Sequence, residues 1–294
     1  MKIHNRMILL AGAIVLAMAA IVASNPLAAI NAVTTSSTYA LREAVPYGAQ
    51  ARQKLDIFTP TGTAPAGGWP VVLFLYGGSW VSGERGSYQF LGEALASRGV
   101  LTLVADYRLY PEVRYPDFLV DCAHALAFGL EQAPSLGGNP KRVFVMGHSA
   151  GAYNAAMLAL DGRWLAQTGH VPGELAGWIG LAGPYDFLPI TNLDAQPVFF
   201  HPNYPAGTQP LAYAPGSSLP AFLGAAVNDK LVNPTRNTLS LAKSLRAAHV
   251  TVSLHEYTGV NHETLVGAFS RPLRWLAPVL DDVIEFIDQD RRPE

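Results

Sequence analysis

A chain of 294 residues, half of them apolar and 14% charged, with a formal net charge of −2, is long enough to bury a sizeable core in one large α/β domain. That balance excludes a disordered chain and gives no electrostatic basis for binding nucleic acid. Cys122 is the one cysteine, so neither an intramolecular disulfide nor a cysteine-based metal site can be built.

Lys2 and Arg6 precede an uninterrupted apolar run from Met7 to Ala23, which Ser24-Asn25-Pro26 ends. Residues 1–33 read as a secretory signal, cut after Ala23 or near Ala32, or as an uncleaved membrane anchor. The run is just long enough to cross a bilayer, which takes about 17–25 residues. Either way the folded part is expected outside the cytoplasm, as an exported protein or one associated with the membrane through residues 7–23. Residues 34–49 are expected to be a linker, and residues 50–294 the folded domain.

Gln53 to Phe58 alternates polar and apolar like a half-buried edge strand. Val71 to Tyr76 is a continuous apolar run, fit for a strand buried on both faces, and Gly77-Gly78-Ser79-Trp80 ends it abruptly. A helical pattern over Gln89 to Ser97 leads to a buried strand at Leu101 to Ala105, then Asp106-Tyr107-Arg108-Leu109 and a helix over Tyr115 to Leu130. In that helix Cys122 reads as a buried structural thiol. A strand beginning at Val143 runs into a helix ending near Leu160, followed by a strand at Gly177 to Ala182. Residues 183–218 are rich in proline and aromatics without periodicity, and read as a cap over a site. Ala221 to Val227 (strand), Thr235 to Ala248 (helix), Val250 to Tyr257 (strand) and Pro278 to Asp288 (acidic helix) complete the alternation. The fold class is therefore α/β, a mostly parallel doubly wound sheet with a cap-like insertion after the sixth strand.

Gly147-His148-Ser149-Ala150-Gly151 joins a strand to a helix, the context that a nucleophile elbow requires. A serine at so sharp a turn projects its hydroxyl freely, and the flanking glycines keep side chains clear of the neighbouring strand and helix. Such a serine needs a base, and the base needs an orienting acid, supplied in chain order acid then histidine from later strand ends. His262 follows the last strand in a loop opening onto a helix. Asp229 follows the strand before it, leaving room between them for one helix and one strand. His170, His201, His249 and His255 lie in irregular, helix-end or strand patterns, while Asp186 and Asp194 come one unit too early. Gly77-Gly78-Ser79 provides close-approach backbone, so the oxyanion donors are expected to be the N–H groups of Gly78, Ser79 and Ala150. Trp80 and Tyr107 are candidate substrate-binding residues, and Tyr110, Phe199 and Phe200 are further aromatics near the site.

Tyr76-Gly77-Gly78-Ser79-Trp80 resembles the His-Gly-Gly-x-Trp motif of α/β-hydrolase esterases related to hormone-sensitive lipase, bacterial carboxylesterases and feruloyl/acetylxylan esterases. Leu55 to Pro60 resembles that group's first strand, Asp106 to Pro111 its Asp-Tyr-Arg-x-x-Pro segment, and Gly138 to Gly151 its approach to the elbow. Asp229 to Val232 and Asn261-His262 match its acid and histidine loops, so the likeness runs in order over about residues 50–288. Tyr76 stands where the group has a histidine that anchors the loop, and activity is expected to survive the exchange. Gly224 to Asn228 lacks the His-Gly opening common before the acid.

The reading implied is a serine esterase. Ser149 is the nucleophile, His262 the base and then acid, and Asp229 the orienter. The expected partner is a small-molecule ester, with neither metal nor organic cofactor. A peptidase or arylformamidase on the same triad is one alternative, since acyl-transfer machinery does not distinguish ester from amide. A non-catalytic, membrane-tethered binding protein that kept the fold is the other.

Overall fold

The computed structural model describes residues 26–289, so the apolar run Met7 to Ala23 lies outside the described residues. The chain builds one eight-stranded sheet in the order β1-β2-β4-β3-β5-β6-β7-β8. Its strands are β1 (Tyr39–Pro46), β2 (Lys54–Pro60), β3 (Trp69–Leu75), β4 (Leu101–Ala105), β5 (Gly138–His148), β6 (Gly177–Leu181), β7 (Ala221–Ala226) and β8 (Val252–Tyr257). β2 is antiparallel to both β1 and β4, and every pairing from β4 through β8 is parallel.

The apolar runs explain the centre of the sheet. Val71 to Leu75, Val143 to Met146 and Ala221 to Leu223 are fully buried, as strands covered on both faces must be. Helices α1 (Pro26–Ala32), α2 (Gln89–Ala96), α3 (Asp117–Gln132), α4 (Ala150–Leu160), α5 (Arg163–Ala166), α6 (Ser240–Ala247), α7 (His262–Gly267) and α8 (Val279–Gln289) fill the connections. None of the helices among the described residues is long and apolar enough to cross a membrane.

Two expectations at the N-terminal side need correction. The segment expected as a linker, 34–49, contains β1, which pairs with β2 along most of its length and bulges between Arg42 and Val45. Its sequence, Tyr-Ala-Leu-Arg-Glu-Ala-Val-Pro, is mostly solvent-facing on an edge, so neither strict alternation nor an apolar run marks it. Residues 26–32, expected within a signal or anchor, form α1. Asn31 ties α1 down by donating to the Gly86 carbonyl (2.9 Å) and accepting from the Phe90 N–H (3.1 Å). Leu27 and Ile30 pack on the core.

The strand order turns over at β3 and β5. β3 is followed in sequence by β4 on one side, while β5 lies on its other side. A crevice at the carboxyl ends of these strands is the position where open α/β sheets place ligands. The loop after β3 and the turn after β5 meet there.

Candidate active site

β5 ends at His148 and α4 starts at Ala150, leaving Ser149 alone at the turn with φ 55° and ψ −121°. That is positive-φ backbone, costly for a residue with a Cβ, and it persists where surroundings over-determine it. They do so here. The Ser149 N–H donates to the Leu181 carbonyl on β6 (2.8 Å), and its own carbonyl accepts from Ala152 and Tyr153 (2.9 and 3.1 Å) to start the helix. A Cβ on Gly147 would sit 2.0 Å from the Gly151 oxygen, and one on Gly151 would sit 1.9 Å from the Leu75 oxygen. Glycine is obligatory at both positions because the helix start passes directly over two strands.

His262 opens α7, whose N-cap Asn261 accepts from the Thr264 N–H (2.8 Å) while its own N–H donates to the Thr264 hydroxyl (2.8 Å). The His262 ring is buried, with Nε2 2.9 Å from Ser149 Oγ and Nδ1 2.7 Å from Asp229 Oδ2. A carboxylate only accepts, so Nδ1 carries the proton and Nε2 is left to accept the serine's. Asp229 sits in the turn after β7, where its other oxygen takes the N–H groups of Leu231 (2.8 Å) and Val232 (2.9 Å). Burial pushes its carboxyl up, but the His262 hydrogen bond, those two N–H groups and the His262 charge outweigh it, and its pKa lies below the ordinary 3.8. Asp229 is thus held ionised beside His262.

On the other side of Ser149, Gly78 has φ +124°, and Ser79 and Trp80 follow with φ 52° and 60°. The Gly78 carbonyl accepts from Val81 (3.0 Å) and Ser82 (3.1 Å), closing a tight turn. A Cβ on Gly77 would fall 2.8 Å from the Ser149 Cβ, so this turn lies directly against the serine. Among the described residues, the N–H groups of Gly78, Ser79 and Ala150 have no hydrogen-bond acceptor. Three donors without an acceptor, two in the turn packed against Ser149 and one on the residue after it, suit a developing oxyanion.

The turn rests on a buried polar platform. Tyr76, in the histidine position of the resembled motif, donates to Asp106 Oδ1 (2.9 Å) and accepts from Arg52 Nη2 (2.7 Å). Arg52 also holds the carbonyls of Tyr107 (2.9 Å) and Gly83 (2.8 Å), and the Arg85 backbone N–H donates to Asp106 Oδ1 (2.8 Å). The Arg85 guanidinium pairs with Asp56 (2.8 Å) and with Asp106.

The site faces a cavity of about 430 Å³ whose walls include Trp80, Phe187, Ile190, Asn192, Leu231 and His262. Of the two residues expected to contact substrate, Trp80 lines this cavity, with its Nε1 held by Asn154 Oδ1 (3.0 Å). Tyr107 does not. It is fully buried beneath the turn, its hydroxyl donating to the Tyr76 carbonyl (2.7 Å) and its ring stacked on Tyr76 at 4.8 Å. Its motif neighbours share that structural duty: Arg108 clamps Asp121 on α3 through Nε and Nη2 (2.8 and 2.7 Å). Phe199 packs on Trp80 in the aromatic core, and Phe200 lies outside against Arg114.

The segment 183–218 supplies Pro184, Phe187, Ile190, Thr191, Asn192 and Ala195 to the cavity wall. Irregular sequence carries no periodicity from which to read this inward face. His148, within the elbow itself, carries no local signal of its contact with the His262 carbonyl (2.9 Å). Asp186 is engaged elsewhere, by Arg236 (3.1 Å).

A family model described as BD-FAE matches residues 55–245. The chain belongs to the BD-FAE family. Among its relatives is a probable isoprenylcysteine alpha-carbonyl methylesterase of Oryza sativa, 36% identical over 154 residues, covering 50% of this chain and 36% of that protein. Esterase LipQ of Mycobacterium tuberculosis is 27% identical over 263 residues, covering 83% of this chain and 62% of its own length. This chain therefore spans only about a third of the first of these relatives. A solved structure titled bacterial heroin esterase superposes with a TM-score of 0.70 at 26% identity, over 88% of this chain and 89% of that one. The fold is that of the α/β-hydrolase esterases.

Proposed function

We propose that this BD-FAE member is a serine hydrolase that cleaves carboxylic esters through an acyl-enzyme. Ser149 attacks the ester carbonyl as His262 Nε2 takes its proton, and His262 returns that proton to the leaving alcohol. Asp229 keeps the imidazole in the tautomer with its proton on Nδ1 and stabilises the imidazolium. The N–H groups of Gly78, Ser79 and Ala150 stabilise the oxyanion, at about 2.7–4 kcal/mol for each donor lost. Water then repeats the cycle on the acyl-Ser149.

One observation carries this reading: the unbroken hydrogen-bonded line Asp229–His262–Ser149, ending on a strained serine at a cavity. The apolar wall of Trp80, Phe187 and Ile190 supports esters of small, apolar acyl or alcohol groups. Ser149→Ala should abolish both p-nitrophenyl acetate hydrolysis and fluorophosphonate labelling, and full activity in that variant would remove Ser149 from the mechanism. Matched ester and amide substrates measure how far the reaction extends to amides. The apolar run Met7 to Ala23 supports a location outside the cytoplasm, exported or anchored, which fractionation with N-terminal sequencing of the mature protein resolves.

A further inference from the structure

The mechanism above makes no use of His148, although this residue touches both halves of it. His148 precedes the nucleophile on the elbow, is buried, and puts Nε2 2.9 Å from the carbonyl oxygen of His262. A carbonyl only accepts, so Nε2 carries the proton and Nδ1 is the bare nitrogen. That Nδ1 is buried with no hydrogen-bond partner and lies against Gly77, whose Cβ would be 3.3 Å away. The rings of His148 and His262 are 4.9 Å apart at 49°.

These contacts form a short mechanical loop. Ser149 and His262 come from strand ends separated by two β/α units, yet their side chains must meet at 2.9 Å. The backbone of His262 is fixed on its N-terminal side by the Asn261 cap. Its carbonyl is fixed by a donor from the residue covalently attached to the nucleophile. Resting on the proposed roles of Ser149 and His262, we propose that His148 is a positioning residue. Its Nε2–H ties the backbone of the base to the elbow and so sets the distance from nucleophile to base.

A second imidazole this near could compete as a base, but its environment prevents that. Its free nitrogen is sealed from the cavity. Burial first, and then the nearby His262 charge, lower its pKa from 6.5 to about 3, so it stays neutral while His262 cycles its proton. It offers a fixed donor and no charge.

The test compares three replacements, each checked for folding by circular dichroism and thermal unfolding. Glutamine carries an N–H group as many bonds from Cα as Nε2 of histidine; asparagine's falls one bond short; leucine has none. His148→Leu and His148→Asn should lower kcat on the order of 100-fold, the cost of misplacing catalytic groups by about 1 Å. KM should change by no more than about twofold, because the cavity wall is untouched. His148→Gln should restore kcat to within about threefold of wild type, a rescue that follows the donor and not the ring.

A folded His148→Leu with near-wild-type kcat overturns the proposal, as does a folded His148→Gln no faster than His148→Asn. If the leucine variant does not fold, the Gln–Asn comparison decides by itself. If wild type itself fails to hydrolyse esters or bind fluorophosphonate, the esterase reading fails. If only these variants miss their predicted pattern, the positioning role fails and that reading stands.

Discussion

The two walls of the cavity are built on opposite principles. The wall carrying the Gly77–Trp80 turn rests on a platform of buried Tyr76 and Asp106 held by half-buried Arg52 and Arg85, with Tyr107 and Asp56 packed beneath it. The facing wall, residues 184–195, has an exposed run from Thr191 to Asp194. Its start is anchored by Asn237 Oδ1, which accepts from the Tyr185 and Asp186 N–H groups (2.7 and 2.8 Å), and by Gln209 Oε1, which accepts from the Phe187 N–H (2.7 Å). Beyond that it is tied by Arg236 to Asp186 and to the Leu188 carbonyl, by Gln196 Nε2 to the Ile190 carbonyl (2.9 Å) and by the Ile190 N–H to the Tyr204 hydroxyl (3.2 Å). The contrast matches the tolerance of each task. Oxyanion donors work only within fractions of an ångström, so their support is over-determined, whereas a surface that shapes a substrate tolerates movement.

The largest effect should come from the chemistry that both walls serve. Asp229→Asn keeps the shape but replaces an acceptor with an amide, whose N–H favours the wrong His262 tautomer. A loss in kcat on the order of 10⁴-fold is expected, with substrate binding little changed. A pre-steady-state assay showing normal acylation in this variant would rule out Asp229 as the orienter. Next comes the platform. Asp106→Ala strips the acceptor from Tyr76 and leaves Arg85 and Arg52 without it, at about 3–5 kcal/mol for breaking a buried pair and less where these arginines reach solvent. Urea unfolding should show the loss, with kcat falling alongside as the oxyanion turn loosens. A variant as stable and as fast as wild type would mean that the platform does not hold the turn.

Acid should weaken the catalytic side for a calculable reason. His148 takes a proton only near pH 3 when folded, against an ordinary value of 6.5, so the unfolded chain binds more protons between those values. Its contribution to stability is therefore full above 6.5, declines as pH falls toward 3, and is constant below, with a slope of at most about 1.4 kcal/mol per pH unit. Asp229 adds the same sign lower down: its stabilisation is present above 3.8 and is lost as pH falls through its depressed folded value. Urea midpoints for His148→Gln should therefore fall less steeply than wild type between pH 6.5 and 4. Parallel curves would show that His148 is not held neutral.

The same contrast governs what could be read before the fold was known. Interior strands were legible because parallel strands buried on both faces require apolar runs. Ser149 and Asp229 were legible because each follows such a run, and His262 because it follows the last, half-buried strand in a loop opening onto a helix. β1 was not, since an edge strand facing water carries no such run. Tyr107 was misread as substrate-facing because a residue just past β4 can turn toward the cavity or beneath the turn, and chain order does not distinguish the two. His148 has a role only through His262, whose carbonyl reaches it from 114 residues away in sequence. Contacts that depend on closing the fold leave no local pattern.

The smallest predicted effect tests where the two walls touch. Asn192 Nδ2 donates to Ser79 Oγ at 3.0 Å, a solvent-exposed link from the 184–195 wall to the oxyanion turn. An exposed neutral hydrogen bond contributes about 0.5–1.5 kcal/mol at most. The platform beneath Tyr76 should hold the turn without it. Asn192→Ala should therefore leave kcat within about twofold of wild type and move KM by about two- to fivefold, because the freed segment reshapes the cavity and not the oxyanion site. The shift should grow with substrate size, since bulky acyl or alcohol groups press hardest on that wall. A fall in kcat matching that of Asp106→Ala would reverse the comparison: the exposed wall, and not the platform, would then be holding the donors in place.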